Sequence, residues 1–226
     1  RVINVILFWV FFEWLRSWLF TGFPWNLLGS VWTFNEPIMQ FASVFGVLGL
    51  SLVTIGVATA FSFVGYAKKS VRFQTMSLIL PLVLLAIIWA GGSWRMLGVE
   101  TKFVNDVLLR LVQPNILQKD KWKPQFREKN FNNLLTLSSA AQVPGRVKQP
   151  THIIWPETAT PFILDGNDPA LRSIARIISP KGALLTGSPR RTGKNRTTAK
   201  LWNSLHVVSS DARITATYDK FHLVPF

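Results

Sequence analysis

A bundle of membrane-spanning helices followed by a layered α/β domain is the fold the sequence predicts, and three observations predict it. Thirty-one consecutive uncharged residues separate Glu36 from Lys68, and 22 more separate Arg72 from Arg95. Charge is split unevenly. Residues 1–98 carry six basic and two acidic groups, whereas residues 99–226 carry 19 and nine. Beyond residue 98 the long apolar runs give way to short ones of strand length, separated by segments of helical period. The expected division is therefore a membrane part, 1–98, and an α/β part, 99–226.

The membrane part reads as about three spans, near residues 2–20, 38–65 and 74–94. A bilayer core needs about 20 apolar residues at 1.5 Å each, which both long runs supply. Pro81 falls inside the third run, where neighbouring helices can satisfy the carbonyl it frees. Ala42, Ser43, Gly46, Gly49 and Gly56 offer small faces for close helix approach. The first span carries Glu13 and Arg16. Their i,i+3 spacing puts them on one helical face, where they can pair with each other or lie together at the membrane surface. No small-residue cleavage site follows the first apolar run, so a removable signal peptide is not expected. The chain opens on Arg1 with hydrophobic sequence already under way, as a piece of a longer membrane protein would.

Orientation follows from the positive charges. Lys68, Lys69 and Arg72 lie between the second and third runs, so that loop is expected on the cytoplasmic side. Residues after about 98 then fall on the outer face, periplasmic in a bacterium. The irregular Thr21-Gly22-Phe23-Pro24-Trp25 segment falls on that same side.

In the second part, Arg110 to Asn115 reads as a short strand ended by a turn. A helix is expected from about Pro124 to Ala141, with Phe131, Leu134, Leu135 and Ser138 on one face. Thr151 to Trp155 is a continuous apolar run suited to a central strand. Pro169 to Ser179 reads as a second helix with Leu171, Ile174, Ala175 and Ile178 as its core stripe. Ala183 to Gly187 is a third strand. Leu205–Val208 and Arg213–Thr217 form a hairpin about Ser209-Ser210-Asp211-Ala212. The result is a layered α/β domain that stops while strands are still being added.

Composition narrows the chemistry. With no Cys there is no disulfide framework, no Cys-based zinc site and no thiol nucleophile within these 226 residues. Three His complete no metal constellation, so no metal or other cofactor is expected. Glu157 follows Ile153-Ile154-Trp155-Pro156 and Lys220 follows the last strand, both at carboxyl ends of strands where open α/β sheets carry their sites. Apolar flanks predict a raised pKa for Glu157 and a role as general base. On composition alone, Lys220 reads rather as a surface lysine paired with Asp219. His206 and His222 read as core or loop histidines.

Taken in order, several strings resemble the bacterial apolipoprotein N-acyltransferases of the nitrilase, or carbon–nitrogen hydrolase, superfamily. They are Phe12-Glu13-Trp14-Leu15-Arg16, Leu19 to Trp25, Gln113-Pro114-Asn115, Trp155-Pro156-Glu157-Thr158-Ala159, Thr186-Gly187-Ser188-Pro189, Asn203-Ser204 and Tyr218-Asp219-Lys220-Phe221-His222-Leu223-Val224-Pro225-Phe226. The resemblance covers essentially the whole chain. It implies an incomplete nitrilase-like αββα domain on the periplasmic face of the inner membrane, carried by a multi-pass helical bundle. It also implies transfer of an acyl chain from a phospholipid to the N-terminal amine of a diacylglyceryl-cysteine apolipoprotein, through a cysteine acyl-enzyme. By that likeness Glu157 is the base and Lys220 helps hold the oxyanion. Trp122 matches a functional tryptophan on the substrate side, and Asn203 a position structural for the site. The family's cysteine lies well after the lysine motif, so the resemblance implies a chain cut before its nucleophile and inactive by itself.

Two rival readings come from other classes. A membrane-anchored nitrilase or amidase could hydrolyse a small C–N bond with the same groups. A non-enzymatic basic module could bind anionic lipid or nucleic acid through Arg190, Arg191, Lys194 and Arg196. That cluster reads most simply as a solvated loop, and an outward-facing domain meets membrane rather than nucleic acid.

Overall fold

The computed structural model describes residues 2–63, 70–139, 149–193 and 198–223. The chain forms two compact units, one built from residues 2–102 with 222–223 and the other from Phe103–Phe221.

The first unit is helical. α1 (Val2–Arg16) has 15 residues, about 22 Å at 1.5 Å each, short of a bilayer core of about 30 Å. The expected span to residue 20 is therefore cut back at its C-terminal end. After Arg16 the chain turns: Ser17 Oγ donates to the Glu13 carbonyl at 3.0 Å, Phe20 takes a left-handed φ of 51°, and Phe23 N donates to the Arg16 carbonyl at 2.9 Å. A 3₁₀ segment follows (Leu28–Phe34), then the four-residue α2 (Glu36–Met39), α3 (Ala42–Ala60) and α4 (Val71–Met96). The stretches Ala42–Phe63 and Val71–Met96, of 22 and 26 residues, are long and apolar enough to cross a membrane. Asn35 caps α2 and Ser70 caps α4, each through a side-chain oxygen that accepts an orphan backbone N–H. α4 runs unbroken through Pro81. Lys68 and Lys69, on which the orientation rests, lie outside the described residues.

Glu13 and Arg16 do not pair. Glu13 is 8% exposed, and its Oε1 accepts from Leu28 N at 2.7 Å and from Trp9 Nε1 at 3.3 Å. The Arg16 guanidinium donates instead to the Trp25 carbonyl at 2.8 Å and to the Asn26 carbonyl at 3.4 Å. The helix end is followed by a loop folded back on it, so each charged group finds backbone rather than its neighbour.

Of the expected small residues, Ala42 packs against the helical core, whereas two of the glycines make no close approach. Gly46 and Gly56 face open space. Instead, Gly29 lies on α3, where an added Cβ would stand 2.5 Å from the Val47 carbonyl oxygen, and its N–H donates to Ser51 Oγ at 2.8 Å. Gly92 of α4 lies against α2, where a Cβ would stand 1.8 Å from the Pro37 carbonyl oxygen. Gly92→Ala should push α2 and α4 apart and cost about 1–3 kcal/mol, as overpacking does, read as a lower thermal midpoint of the detergent-solubilised protein. An unchanged midpoint would show that this contact is not a constraint.

The second unit is a five-stranded mixed sheet in the order β1-β2-β3-β4-β5. β1 (Leu109–Leu111) is followed by α5 (Gln118–Lys121) and α6 (Arg127–Ser139), then β2 (His152–Ile154), α7 (Asp168–Ala175), β3 (Ala183–Thr192), β4 (Lys200–Ser209) and β5 (Ile214–Asp219). β1, β2 and β3 are parallel, and β3, β4 and β5 antiparallel. The expected strand at Arg110–Asn115 shortens to Leu109–Leu111, and the helix expected from Pro124 opens with a 3₁₀ turn before Arg127. The second helix, expected to reach Ser179, ends at Ala175 and tightens into turns closed by Ile177 N and Ile178 N. Asn167 caps it by accepting from Ala170 N.

Helix and sheet share one core. Leu134, Ile153, Leu171, Ile174, Leu184 and Val208 are all buried within it. Along the same face, towards the far end of β3 and β4, the buried residues become polar: Thr186 opposite His206 and Ser188 opposite Ser204. On the other face Leu205 and its partner Tyr218 are exposed, as are Leu109 and Leu111.

The polar end is fixed by an ion pair. Arg190 grips Asp219 through Nε, at 2.9 Å, and through a second bond from its terminal nitrogen, while Ser204 Oγ donates to the same carboxylate at 2.6 Å. The Arg190 guanidinium, then the Ser204 hydroxyl, hold the Asp219 carboxyl down from 3.8 to about 2. Thus Arg190, expected in a solvated loop, joins β3 to β5, and Lys220 is not the partner of Asp219. A carboxyl depressed on folding stabilises the native state fully above its unfolded pKa, and that contribution is lost as pH falls through the folded one. Wild-type stability should therefore drop between about pH 4 and pH 2 by more than that of Arg190→Gln, followed by thermal melts across that window. Parallel pH profiles would sink the assignment.

Candidate functional site

The site is assembled at the carboxyl end of β2. Trp155 continues that strand, with its N–H donating to the Leu185 carbonyl at 2.9 Å. Its ring is buried, donates from Nε1 to Ser138 Oγ at 2.8 Å and meets Phe131 edge to face. With that anchor, the next residues must turn out of the sheet. They turn over Gly187 of β3: Gly187 N donates to the Pro156 carbonyl and Thr160 N to the Gly187 carbonyl, each at 3.3 Å. A Cβ on Gly187 would stand 2.3 Å from Thr158 N and 2.8 Å from Glu157 Cα, so only glycine lets the turn sit this close. Thr158 takes a left-handed φ of 50°, an uncommon and strained state for a β-branched residue. Strain held next to a carboxylate is a mark of functional turns.

Glu157 faces three donors from other elements. Lys220 Nζ lies 3.0 Å from its Oε1, and Asn203 Nδ2 donates to the same oxygen at 2.5 Å. Lys220 is in turn registered by its own backbone, whose N–H donates to the Asn203 carbonyl at 2.8 Å. Lys121 Nζ donates to the Glu157 carbonyl at 3.1 Å. The Lys220 hydrogen bond first, then that of Asn203, lower the Glu157 pKa below its ordinary value of 4.5, against a smaller opposing effect of burial. The expectation of a raised pKa is therefore corrected. The flanking Trp155 and Pro156 do not bury the carboxyl group, whose side chain is 63% exposed, and the two donors decide its charge.

A cavity of about 520 Å³ opens beside this carboxylate. Gln113, Pro114, Asn115, Lys121 and the run from Trp155 to Ala159 are among its lining residues. Trp122, the next residue, is 54% exposed and is not among the lining residues. The structure thus brings Glu157, Lys220 and Asn203 together and leaves Trp122 outside the cavity.

The histidines stand apart. His206 is fully buried, with Nδ1 2.9 Å from Thr217 Oγ1 and Nε2 without a partner, and burial lowers its pKa. His222 is exposed. Lys194 and Arg196 lie outside the described residues. Among the described residues no group of three or more His, Cys, Asp or Glu is placed to hold a metal ion.

Comparison with known proteins takes in the whole chain. Residues 1–60 match the family model described as the apolipoprotein N-acyltransferase N-terminal domain. The chain is 32% identical over 231 residues to the apolipoprotein N-acyltransferase of Rhodopseudomonas palustris, an alignment that takes in 100% of this chain and 43% of that protein. Over its whole length the chain is thus similar to the apolipoprotein N-acyltransferases. The protein of the same name from Allorhizobium ampelinum is 36% identical over 219 residues, covering 95% of this chain and 40% of the relative. That from Rickettsia bellii is 32% identical over 222 residues, covering 97% and 42%. The chain therefore spans about two fifths of the length of the apolipoprotein N-acyltransferases it matches.

Reading the sequence alone missed Lys121 and the Arg190–Asp219 pair. The only signal for Lys121 was its place in the basic run beside Trp122. For Arg190 and Asp219, 29 residues apart, there was none. Because Lys220 is the largest cause of the lowered Glu157 pKa, Lys220→Met should raise it, followed by ¹³C NMR of the carboxyl carbon. A titration that does not move upward would show that the 3.0 Å pair contributes nothing in solution.

Proposed function

We propose that this chain carries the base-and-lysine half of an enzyme that moves an acyl chain from a phospholipid to the N-terminal amine of a diacylglyceryl-cysteine apolipoprotein. The observation that carries this reading is the Glu157–Lys220 pair, 3.0 Å apart and shared with Asn203, with Glu157 lining the cavity. The name of the similar proteins supports the apolipoprotein acceptor, and the phospholipid donor is part of this reading. In this reading the nucleophile is a cysteine outside these 226 residues.

The chemistry follows from the charges. Glu157 is ionised at neutral pH, because its pKa lies below the ordinary carboxylate value. It takes the thiol proton, and the thiolate attacks the ester carbonyl of the acyl donor. Negative charge develops on the carbonyl oxygen, where the Lys220 ammonium holds it. Collapse expels the lysophospholipid alkoxide, which takes the proton from Glu157 and leaves a thioester. The acceptor amine then attacks, Glu157 takes its proton, and the thiolate departs. Asn203 positions both groups, through its side chain to Glu157 and its carbonyl to the Lys220 N–H. Trp122 is assigned to the substrate side, exposed beside Lys121.

In this reading the mixed sheet is half of a nitrilase-like αββα sandwich. Its exposed row of Leu109, Leu111, Leu205 and Tyr218 is the face on which the second sheet packs. Residues 1–98 form a multi-pass membrane part with three spans, the first completed beyond the 15 residues of α1. Residues 99–226 lie on the periplasmic side of the inner membrane, consistent with Lys68, Lys69 and Arg72 on the cytoplasmic side.

In cells whose lipoprotein N-acylation depends on the gene carrying this sequence, Glu157→Gln should leave the protein in the membrane and lower N-acylation by about 10²-fold or more, the scale of a lost general base. Mass spectrometry of lipoprotein N-termini reads the outcome. Normal N-acylation with Glu157→Gln would rule out this mechanism.

A further inference from the structure

Of the three donors described on Glu157, Lys121 is the one that the proposed mechanism leaves without a task. Lys220 is committed to the Glu157 carboxylate and Lys123 is paired with Asp120 at 2.7 Å. The Lys121 ammonium, by contrast, donates to a neutral backbone carbonyl. A carbonyl takes one of its three N–H donors, and its charge acts on the Glu157 carboxylate through space rather than by a direct bond. The same residue lines the 520 Å³ cavity, whose walls include Leu111, Ile116 and Trp155 as well as Gln113, Asn115 and Gln118. A cation on a cavity with both apolar and polar walls suits a ligand that is apolar along part of its length and anionic at one place.

We propose that Lys121 binds the phosphodiester of the acyl donor and so selects donors that carry one. This rests on the acyl-transfer reading above and adds the group that recognises the donor. The donor's ester carbonyl must face Glu157 and Lys220, so its charge has to sit a short distance away, on the far side of the glycerol. Lys121 is placed for this, because it is held by the main chain of Glu157 while the carboxylate points to Lys220 and Asn203. A lysine is a compact point charge, which matches a tetrahedral phosphate. Its charge also offsets the repulsion that the Glu157 carboxylate exerts on an incoming phosphate.

The test uses the full-length membrane enzyme in detergent with two acyl donors of identical chains. One is phosphatidylglycerol, whose phosphate is its only charge, and the other is the corresponding diacylglycerol. Lys121→Gln should lower the ratio of kcat/KM for the first donor to that for the second by about tenfold or more, the loss typical of one charge-assisted hydrogen bond. The change should lie in KM, and Lys121→Arg should restore most of the ratio. A ratio that stays unchanged overturns the proposal. So does an equal fall with both donors, because a lysine that merely braces the Glu157 turn would slow both alike. If the wild-type enzyme transfers from neither donor, the acyl-transfer reading itself fails and this one falls with it.

Discussion

β3 is the strand on which both sides of the site are registered, and the site cannot be built without it. On one edge it runs parallel to β2, whose continuation through Trp155 delivers Glu157. On the other edge it runs antiparallel to β4, paired from Ala183 opposite Ser209 to Thr192 opposite Lys200. β4 carries Asn203 and in turn aligns β5, which delivers Lys220. A slip of one residue anywhere in this ladder would reverse which face each side chain meets. Gly187 sits at the middle of this arrangement, and its missing side chain is the space that the Glu157 turn occupies.

Burial on the helix-covered face is graded, and that grading supports the site. Leu184 and Val208 make an apolar end, whereas Thr186, His206, Ser188 and Ser204 make a buried polar end next to Asp219. Buried polar groups cost free energy unless paired. Here Ser188 Oγ reaches the Phe162 carbonyl, Ser204 reaches Asp219, and Arg190 closes the set. These bonds tie β3, β4 and β5 together one residue from Lys220.

Much of this was legible in the chain itself. Continuous apolar runs gave β2 and the start of β3, and the helical stripe of Leu171 and Ile174 gave α7. Glu157 and Lys220 could be singled out because each follows a strand. What could not be read was partnership across distance. The environment of Glu157 was inferred from Trp155 and Pro156, its chain neighbours, but is set by Asn203 and Lys220, 46 and 63 residues away. Glu13 and Arg16 failed in the same way. Helical spacing placed them side by side, and only the folded-back loop showed that each is taken by backbone.

The separation of 63 residues between Glu157 and Lys220 has a consequence for how activity is tied to folding. The carboxylate comes from the parallel half of the sheet and the ammonium from the last antiparallel strand, with no shorter path between them than through β3 and β4. A chain that has formed β1, β2 and β3 alone holds Glu157 without its counter-charge. Completing the β4–β5 hairpin brings the two together, after a long loop has been closed. The ion pair is thus a proofreader of assembly: it exists only in molecules whose sheet has been finished in the right register.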